Sequence, residues 1–244
     1  MQRLFVRSRL AAGMNIELDR GQTNYIANVL RMEAGAPILL FNGEDGEWQA
    51  EVGERNRRAA VTLAVVEQTR PQPPPYDLVY MFAPLKHARL DYLVEKAVEM
   101  GVGRLMPVTT QHTQVHHLNL DRLAANAIEA AEQTGILTVP PIAPPADIGD
   151  VIDGWQAKEG GRTILFCDEG SPVANPLAVL QGLKTGPLAV LVGPEGGFSD
   201  SERRFLRSKP FVTTLSLGPR ILRADTAAVA ALALVQAALG DWRG

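Results

Sequence analysis

The chain has 244 residues, 46% of them hydrophobic and 21% charged, with a formal net charge of −3. This composition supplies at least one sizeable core and excludes intrinsic disorder as a class. A single cysteine, Cys167, excludes an intramolecular disulfide framework and a zinc ribbon and fits a reducing, cytoplasmic setting.

The opening residues MQRLFVRSRL lack the apolar core of a signal peptide, and the longest strongly apolar run, Ala227 to Val235, is too short to cross a bilayer. Bulk charge does not point to nucleic acid, but its distribution is uneven. Residues 1–31 hold Arg3, Arg7, Arg9, Arg20 and Arg31 against Glu17 and Asp19, a locally basic stretch on an acidic protein. The first elements read as β. Strands are expected at Leu4–Arg7, Pro37–Phe41, Gly46–Val52 and Ala59–Glu67, the last with Val61, Leu63 and Val65 alternating. One helix interrupts them, with Thr23 as its cap and Tyr25, Ile26, Val29 and Leu30 at helical spacing. Short strands and one helix in 70 residues suggest a small barrel.

Four prolines between Pro71 and Pro75 can continue neither a helix nor a central strand, so a linker is placed at 71–76. This divides the chain into 1–70, the linker, and 77–244. Beyond the linker, strands and helices alternate. Strands are expected at Leu78–Phe82, Leu105–Val108, Thr163–Cys167, Leu188–Val192 and Thr213–Leu217. Helical stripes run through Leu90–Ala97, ended by Gly101, through Leu120–Ala131, ended by Gly135, and from about Thr226 to Leu239. The pattern is that of an α/β protein with a mostly parallel sheet covered by helices.

Two stretches carry the chemistry. In Leu188–Glu202 an apolar strand stops at Gly193, Gly196 and Gly197 let the backbone approach a ligand, and Ser199 with Glu202 has the spacing of a capping box. A glycine-rich loop between a strand's carboxyl end and a helix N-terminus is where open α/β sheets bind ligands. The absence of G-x-x-x-x-G-K-[ST] weighs against a P-loop. In Leu215–Ala227 a second strand ends in Gly218-Pro219; Arg220 and Arg223 follow, and Asp225 or Thr226 is placed to cap a helix that is apolar nearly all round. His112, His116 and His117 do not make a metal site at this spacing, and no metal is expected. Cys167 reads as a small core residue.

These two stretches, in this order, resemble the ribosomal RNA small subunit methyltransferase E family, the 16S rRNA uridine-N3 methyltransferases of the SPOUT superfamily. Gly193 to Ser199 with Glu202 matches its central motif and Leu217 to Arg223 its last one. Asn28-Val29-Leu30-Arg31 with Gly35, Lys96 to Val102 and Glu129 to Gln133 resemble other segments. The resemblance implies a PUA-like RNA-binding β-barrel, a methyltransferase domain with a C-terminal trefoil knot, S-adenosylmethionine as cofactor, and a homodimer acting on 16S ribosomal RNA or the small subunit. It implies cofactor contacts at Leu191, Gly193, Pro194, Glu195, Gly196, Gly197, Leu217, Gly218, Ile221, Leu222, Thr226 and Ala227. Arg223 would hold a target phosphate or stabilise a uracil oxyanion, and Glu195 or Asp225 would take the proton. RNA capture would fall to Arg7, Arg9, Arg31, Lys86 and Arg89. The chain departs from the family at Ala224 and Asp225 (usually Thr and Glu), Ile136 (commonly Arg) and Gln111-His112-Thr113 (usually Glu-Arg-Ser). These departures keep open a catalytically impaired RNA-binding or ribosome-assembly protein of the same fold.

Overall fold

The computed structural model describes residues 1–55, 60–115, 117–172, 175–183 and 186–243. The expected strand at Ala59–Glu67 has its first residue outside these, as does His116. The chain divides into two compact units. One is Met1–Pro75 with Ala131–Val139, the other Tyr76–Ala130 with Pro140–Gly244.

The first unit is a five-stranded sheet in the order β1-β3-β4-β5-β2. Its strands are β1 (Arg3–Phe5), β2 (Asn15–Glu17), β3 (Pro37–Phe41), β4 (Glu47–Arg55) and β5 (Val61–Arg70). β1 and β3 are parallel and the other pairs antiparallel. Register breaks between β4 and β5 at Glu47/Trp48, Gln49/Ala50 and Val52/Arg55 curl this ribbon. Its core gathers Leu4, Val6, Ile16, Ile26, Ile38, Leu40, Val61, Leu63 and Val65.

The helix of this unit starts earlier than expected. Asp19, not Thr23, caps α1 (Arg20–Asn24), in a reciprocal capping box with Gln22. Thr23 instead donates to Leu18 O and accepts from the amide of Val61. The helix then widens to π geometry over Tyr25–Val29, which buries Ile26 and leaves Tyr25 and Val29 exposed. β2 was not foreseen: three residues with one buried side chain, Ile16, give no alternation to read.

Glu47 is buried at the start of the central strand β4 and holds two arginines. Its carboxylate accepts from Arg3 Nε at 2.9 Å and from Arg70 Nε at 2.9 Å and Nη2 at 2.7 Å. The guanidinium of Arg3 also donates to the carbonyls of Ala131 (2.5 Å), Glu132 (3.1 Å) and Ile136 (3.0 Å), and Arg70 to that of Gly135 (2.9 Å). A helix ends by leaving carbonyls without intrahelical partners. These two arginines satisfy four acceptors at and just beyond the end of α3 (Leu120–Thr134), and they tie 131–139 to this unit.

The second unit is a six-stranded, all-parallel sheet in the order β11-β9-β10-β6-β7-β8. Its strands are β6 (Leu78–Phe82), β7 (Arg104–Thr109), β8 (Ala146–Asp147), β9 (Thr163–Cys167), β10 (Leu188–Val192) and β11 (Val212–Leu215). Every residue of β6 and β10 is buried, as five-residue apolar runs covered on both faces must be. One face (Val79, Met81, Ile164, Phe166, Ala189, Leu191) packs on Ile148, Ile152 and Trp155 of α4 (Ile148–Asp153) and α5 (Trp155–Glu159), and on Leu206 of α7 (Asp200–Arg207). On the other, α8 (Ala224–Leu239) packs on β10, on α2 (His87–Glu99) and on α6 (Pro176–Gln181).

β11 stops at Leu215, two residues short of expectation, because Ser216 and Leu217 turn into the loop. α8 begins at Ala224, with Arg223 as N-cap residue and no side-chain capping bond. The expected caps, Asp225 and Thr226, lie inside its first turn. Beyond its first turn α8 carries one polar residue, the buried Gln236. It donates from Nε2 to Met100 O at 2.6 Å and accepts from the amide of Asp241 at 3.2 Å, closing the end of α2. Gly101 and Gly135 follow their helices in the left-handed region, at φ 74° and 80°.

Candidate functional site

Parallel strands aim their carboxyl ends at one edge of the sheet, and the loops leaving that edge make the ligand crevice. Here the loops after β9, β10 and β11 and the first turn of α8 enclose a cavity of about 390 Å³. Its walls come from Cys167–Glu169, Val192–Glu195 with Gly197, and Leu215–Ala224 with Ala227; Arg89 of α2 completes them.

The glycine loop is shaped by close contacts. An added Cβ on Gly193 would lie 2.5 Å from Phe198 Cε2, so only glycine lets this ring fold back. The ring in turn packs edge-on against Phe166, centroids 4.8 Å apart. Gly197 sits at φ 63° and donates to Pro194 O at 2.9 Å, closing a tight turn. Ser199 and Glu202 form the expected capping box at α7. Glu202 does more than the pattern implied, because its Oε1 accepts from the amide of Gln111 at 2.8 Å. His112 Nδ1 lies 3.0 Å from Gly196 O and 3.2 Å from Gly197 O. Carbonyls only accept, so Nδ1 carries the proton. The segment after β7 is thereby stitched to the outer side of the glycine loop, and His112 is committed to backbone carbonyls. Among the described residues, no group of three or more His, Cys, Asp or Glu is placed to hold a metal ion.

Of the residues expected at the cofactor, Gly193, Pro194, Glu195, Gly197, Leu217, Gly218, Ile221, Leu222 and Ala227 line the cavity, as does Arg223. Leu191, Gly196 and Thr226 do not. Leu191 points into the core beside Phe166, Gly196 faces His112, and Thr226 is exposed on α8. Asp225 does not line it either; its Oδ1 accepts from the amide of Thr226 at 2.8 Å, where a carboxylate favours the helix N-terminus. Glu195 lies on the wall, with Arg89 Nη1 3.8 Å from its Oε1. Arg89, expected at RNA, thus stands at the cavity, because α2 starts beside the sheet edge. Lys86 is exposed just before α2. Arg7, Arg9 and Arg31 are exposed on the first unit, and Arg31 takes φ 52°, an unusual conformation for a side-chain-bearing residue.

Sequence reasoning missed the β9 contribution. Cys167 is buried on the cavity wall, and burial, with Asp168 beside it, pushes its thiol up to about 12, so it is no nucleophile. The Asp168 side chain has no exposure. Arg207 Nη2 donates to its Oδ2 at 2.5 Å, Arg203 Nε stands 3.1 Å from its Oδ1, and the amide of Gly170 donates to Oδ1 at 2.9 Å. Glu169 accepts from Arg203 Nη2 at 2.5 Å. Arg203, on α7, thus ties the end of β9 to the glycine loop's helix.

Comparison with known proteins agrees with this geometry. The model of an RNA methyltransferase domain matches residues 72–236, and that of an RNA methyltransferase PUA domain matches 18–63. The ribosomal RNA small subunit methyltransferase E of Rickettsia conorii is 31% identical over 236 residues, covering 96% of this chain and 94% of the relative. Its counterpart from Synechocystis is 28% identical, covering 97% of this chain and 78% of the relative. The crystal structure of the Neisseria gonorrhoeae ribosomal RNA small subunit methyltransferase E, bound to S-adenosyl methionine, superposes with a TM-score of 0.85 at 27% identity over 99% of both chains. With a parallel-sheet unit carrying the cavity, a curled PUA-like unit before it, and relatives that match nearly the whole of this chain, this chain belongs to the ribosomal RNA small subunit methyltransferase E family.

Proposed function

We propose that the chain transfers a methyl group from S-adenosylmethionine to N3 of a uridine in 16S ribosomal RNA. The observation that carries this reading is the convergence of the loops after β9, β10 and β11 on one cavity at the carboxyl edge of the sheet. The residues fit the cofactor. Apolar side chains of Val192, Leu215, Ile221 and Ala227 suit a purine, loop backbone offers donors and acceptors, and acidic and basic side chains at the rim suit a ribose and an amino-acid tail.

When bound, S-adenosylmethionine supplies an electrophilic sulfonium methyl group. The protein's part is to align the acceptor and remove its proton. Arg223, on the wall, holds the target phosphate or the oxyanion that develops on the uracil. Of the two acids considered as proton acceptor, only Glu195 lines the cavity, which favours it; Asp225 serves the first turn of α8. RNA binding is placed on residues 1–70, with Arg7, Arg9 and Arg31 on phosphates, and methyl transfer on 77–244 beyond the 71–76 linker, although 131–139 within that span pack with the first unit. The active form is a cytoplasmic homodimer, and the C-terminal segment is threaded as a trefoil knot. Ala224 and Asp225 leave the cavity walls whole, so a non-catalytic reading gains no support from them.

The test is methylation of small subunits or 16S rRNA from a strain lacking this enzyme, using methyl-labelled S-adenosylmethionine and mass spectrometry of the RNA. One new N3-methyluridine is expected. Label on another base, or none on either substrate while the cofactor binds, overturns the reading.

A further inference from the structure

The cavity carries one acidic side chain whose partner and position indicate a task of its own. β9 and β10 are parallel neighbours, with Cys167 opposite Val192. The next residues along, Asp168-Glu169 and Gly193-Pro194, therefore leave the sheet side by side. Asp168 is fully enclosed and engaged by Arg203, Arg207 and the Gly170 amide. Glu169 differs. Its side chain is 40% exposed, it lines the cavity, and its Oε1 overlies the α-carbon of Gly197 so closely that a Cβ there would overlap it.

We propose that Glu169 recognises the ribose diol of the cofactor, held for that task by Arg203. This rests on the S-adenosylmethionine reading above. A vicinal diol presents two adjacent O–H donors, and a carboxylate presents two coplanar oxygens with more acceptor sites than one guanidinium N–H fills. Arg203 Nη2 engages Oε1 at 2.5 Å, which locks the side-chain rotamer. The same contact offsets the carboxylate's charge, so the site suits a neutral polyol better than a second cation such as an ammonium group. An acid at the end of the strand next to the glycine-loop strand is also where nucleotide-binding sheets place their ribose-reading carboxylate. Of the other two acids on the wall, Asp168 is taken up by its arginines and Glu195 faces Arg89.

The test is calorimetric titration of the full chain with S-adenosylhomocysteine and with its 2′-deoxy form. The wild type is expected to bind the ribose form at least about tenfold tighter, as the one charge-assisted hydrogen bond lost with the 2′-hydroxyl implies. In E169A that ratio should collapse to near one. E169Q should keep part of it, and R203K, which retains the charge but not the fork, should narrow it. The ratio compares two ligands on one protein, so a general loss of stability does not imitate the effect, and E169Q and R203K decide the matter if E169A does not fold. A wild type that does not discriminate, or an E169A that discriminates as well as the wild type, overturns the proposal. Failure of the wild type to bind either nucleoside overturns the cofactor reading beneath it, and this proposal with it.

Discussion

Arg3 and Glu47 meet at 2.9 Å with their side chains only 9% and 5% exposed, and the same guanidinium reaches three carbonyls at the end of α3. Burial by itself raises the carboxyl's pKa, but the hydrogen bonds from Arg70, Arg3 and Thr69 outweigh it and hold Glu47 at about 2, below its ordinary 4.5. A depressed carboxylate stabilises the fold above its unfolded pKa and loses that contribution as pH falls through the folded one. Glu47 therefore contributes fully above pH 4.5, and the contribution fades toward pH 2. The amount is at most about 3 kcal/mol. Urea unfolding between pH 7 and pH 2.5 should show a steeper loss for the wild type than for E47Q, and E47Q should be less stable at pH 7 because it leaves buried arginine charge unpaired.

Gly193 is held to glycine by a ring. G193A places a methyl 2.5 Å from Phe198 Cε2 and must displace it. Overpacking of this kind costs about 1–3 kcal/mol. Both the thermal midpoint and affinity for S-adenosylhomocysteine should fall. Pairing G193A with F198L should recover part of both, a non-additivity that a merely local backbone effect would not produce.

The two acids considered for proton removal should separate cleanly. E195Q is expected to lower kcat by about 100-fold or more, the usual range for a lost general base. D225N should keep turnover near wild type and cost only a fraction of a kcal/mol through the helix terminus, about 0.3–1. Single-turnover methylation of small subunits measures both; equal losses in the two variants would remove Glu195 from its proposed role.

Arg7, Arg9 and Arg31 should act on RNA through phosphates. Each change to Ala should weaken binding regardless of sequence and reduce the slope of log affinity against log salt by about 1. Filter binding at several salt concentrations reads this directly. An unchanged slope in the triple variant would place the RNA elsewhere.

The parts of the site that sequence conveyed are those written in local chemistry. Five apolar residues followed by Gly-Pro mark a buried strand and its exit, and Ser199 with Glu202 marks the next helix start, because a capping box is a signature of four consecutive positions. Asp168-Glu169 was invisible for the opposite reason. Two acids before a glycine look like any surface turn, and only Arg203 and Arg207, more than thirty residues later, make them part of the cavity. The place of Arg89 on the cavity wall was not legible because nothing in the first turn of α2 announces Glu195 across the edge of the sheet. In the first unit, β2 and the π turn escaped because one buried side chain per element sets no period. Residues 131–139 escaped because carbonyls have no letter in a sequence; Arg3 and Arg70 find them only in space.

That last feature limits how the protein can be dissected. Cutting after the proline run would release a polypeptide whose two guanidinium groups, that of Arg3 enclosed, have lost the oxygen atoms they grip 65 to 133 residues downstream. Trimmed versions intended for nucleic-acid studies should therefore retain the tail of α3 and the segment after it, supplied in trans or by a short graft, if the detached piece is to keep its native shape.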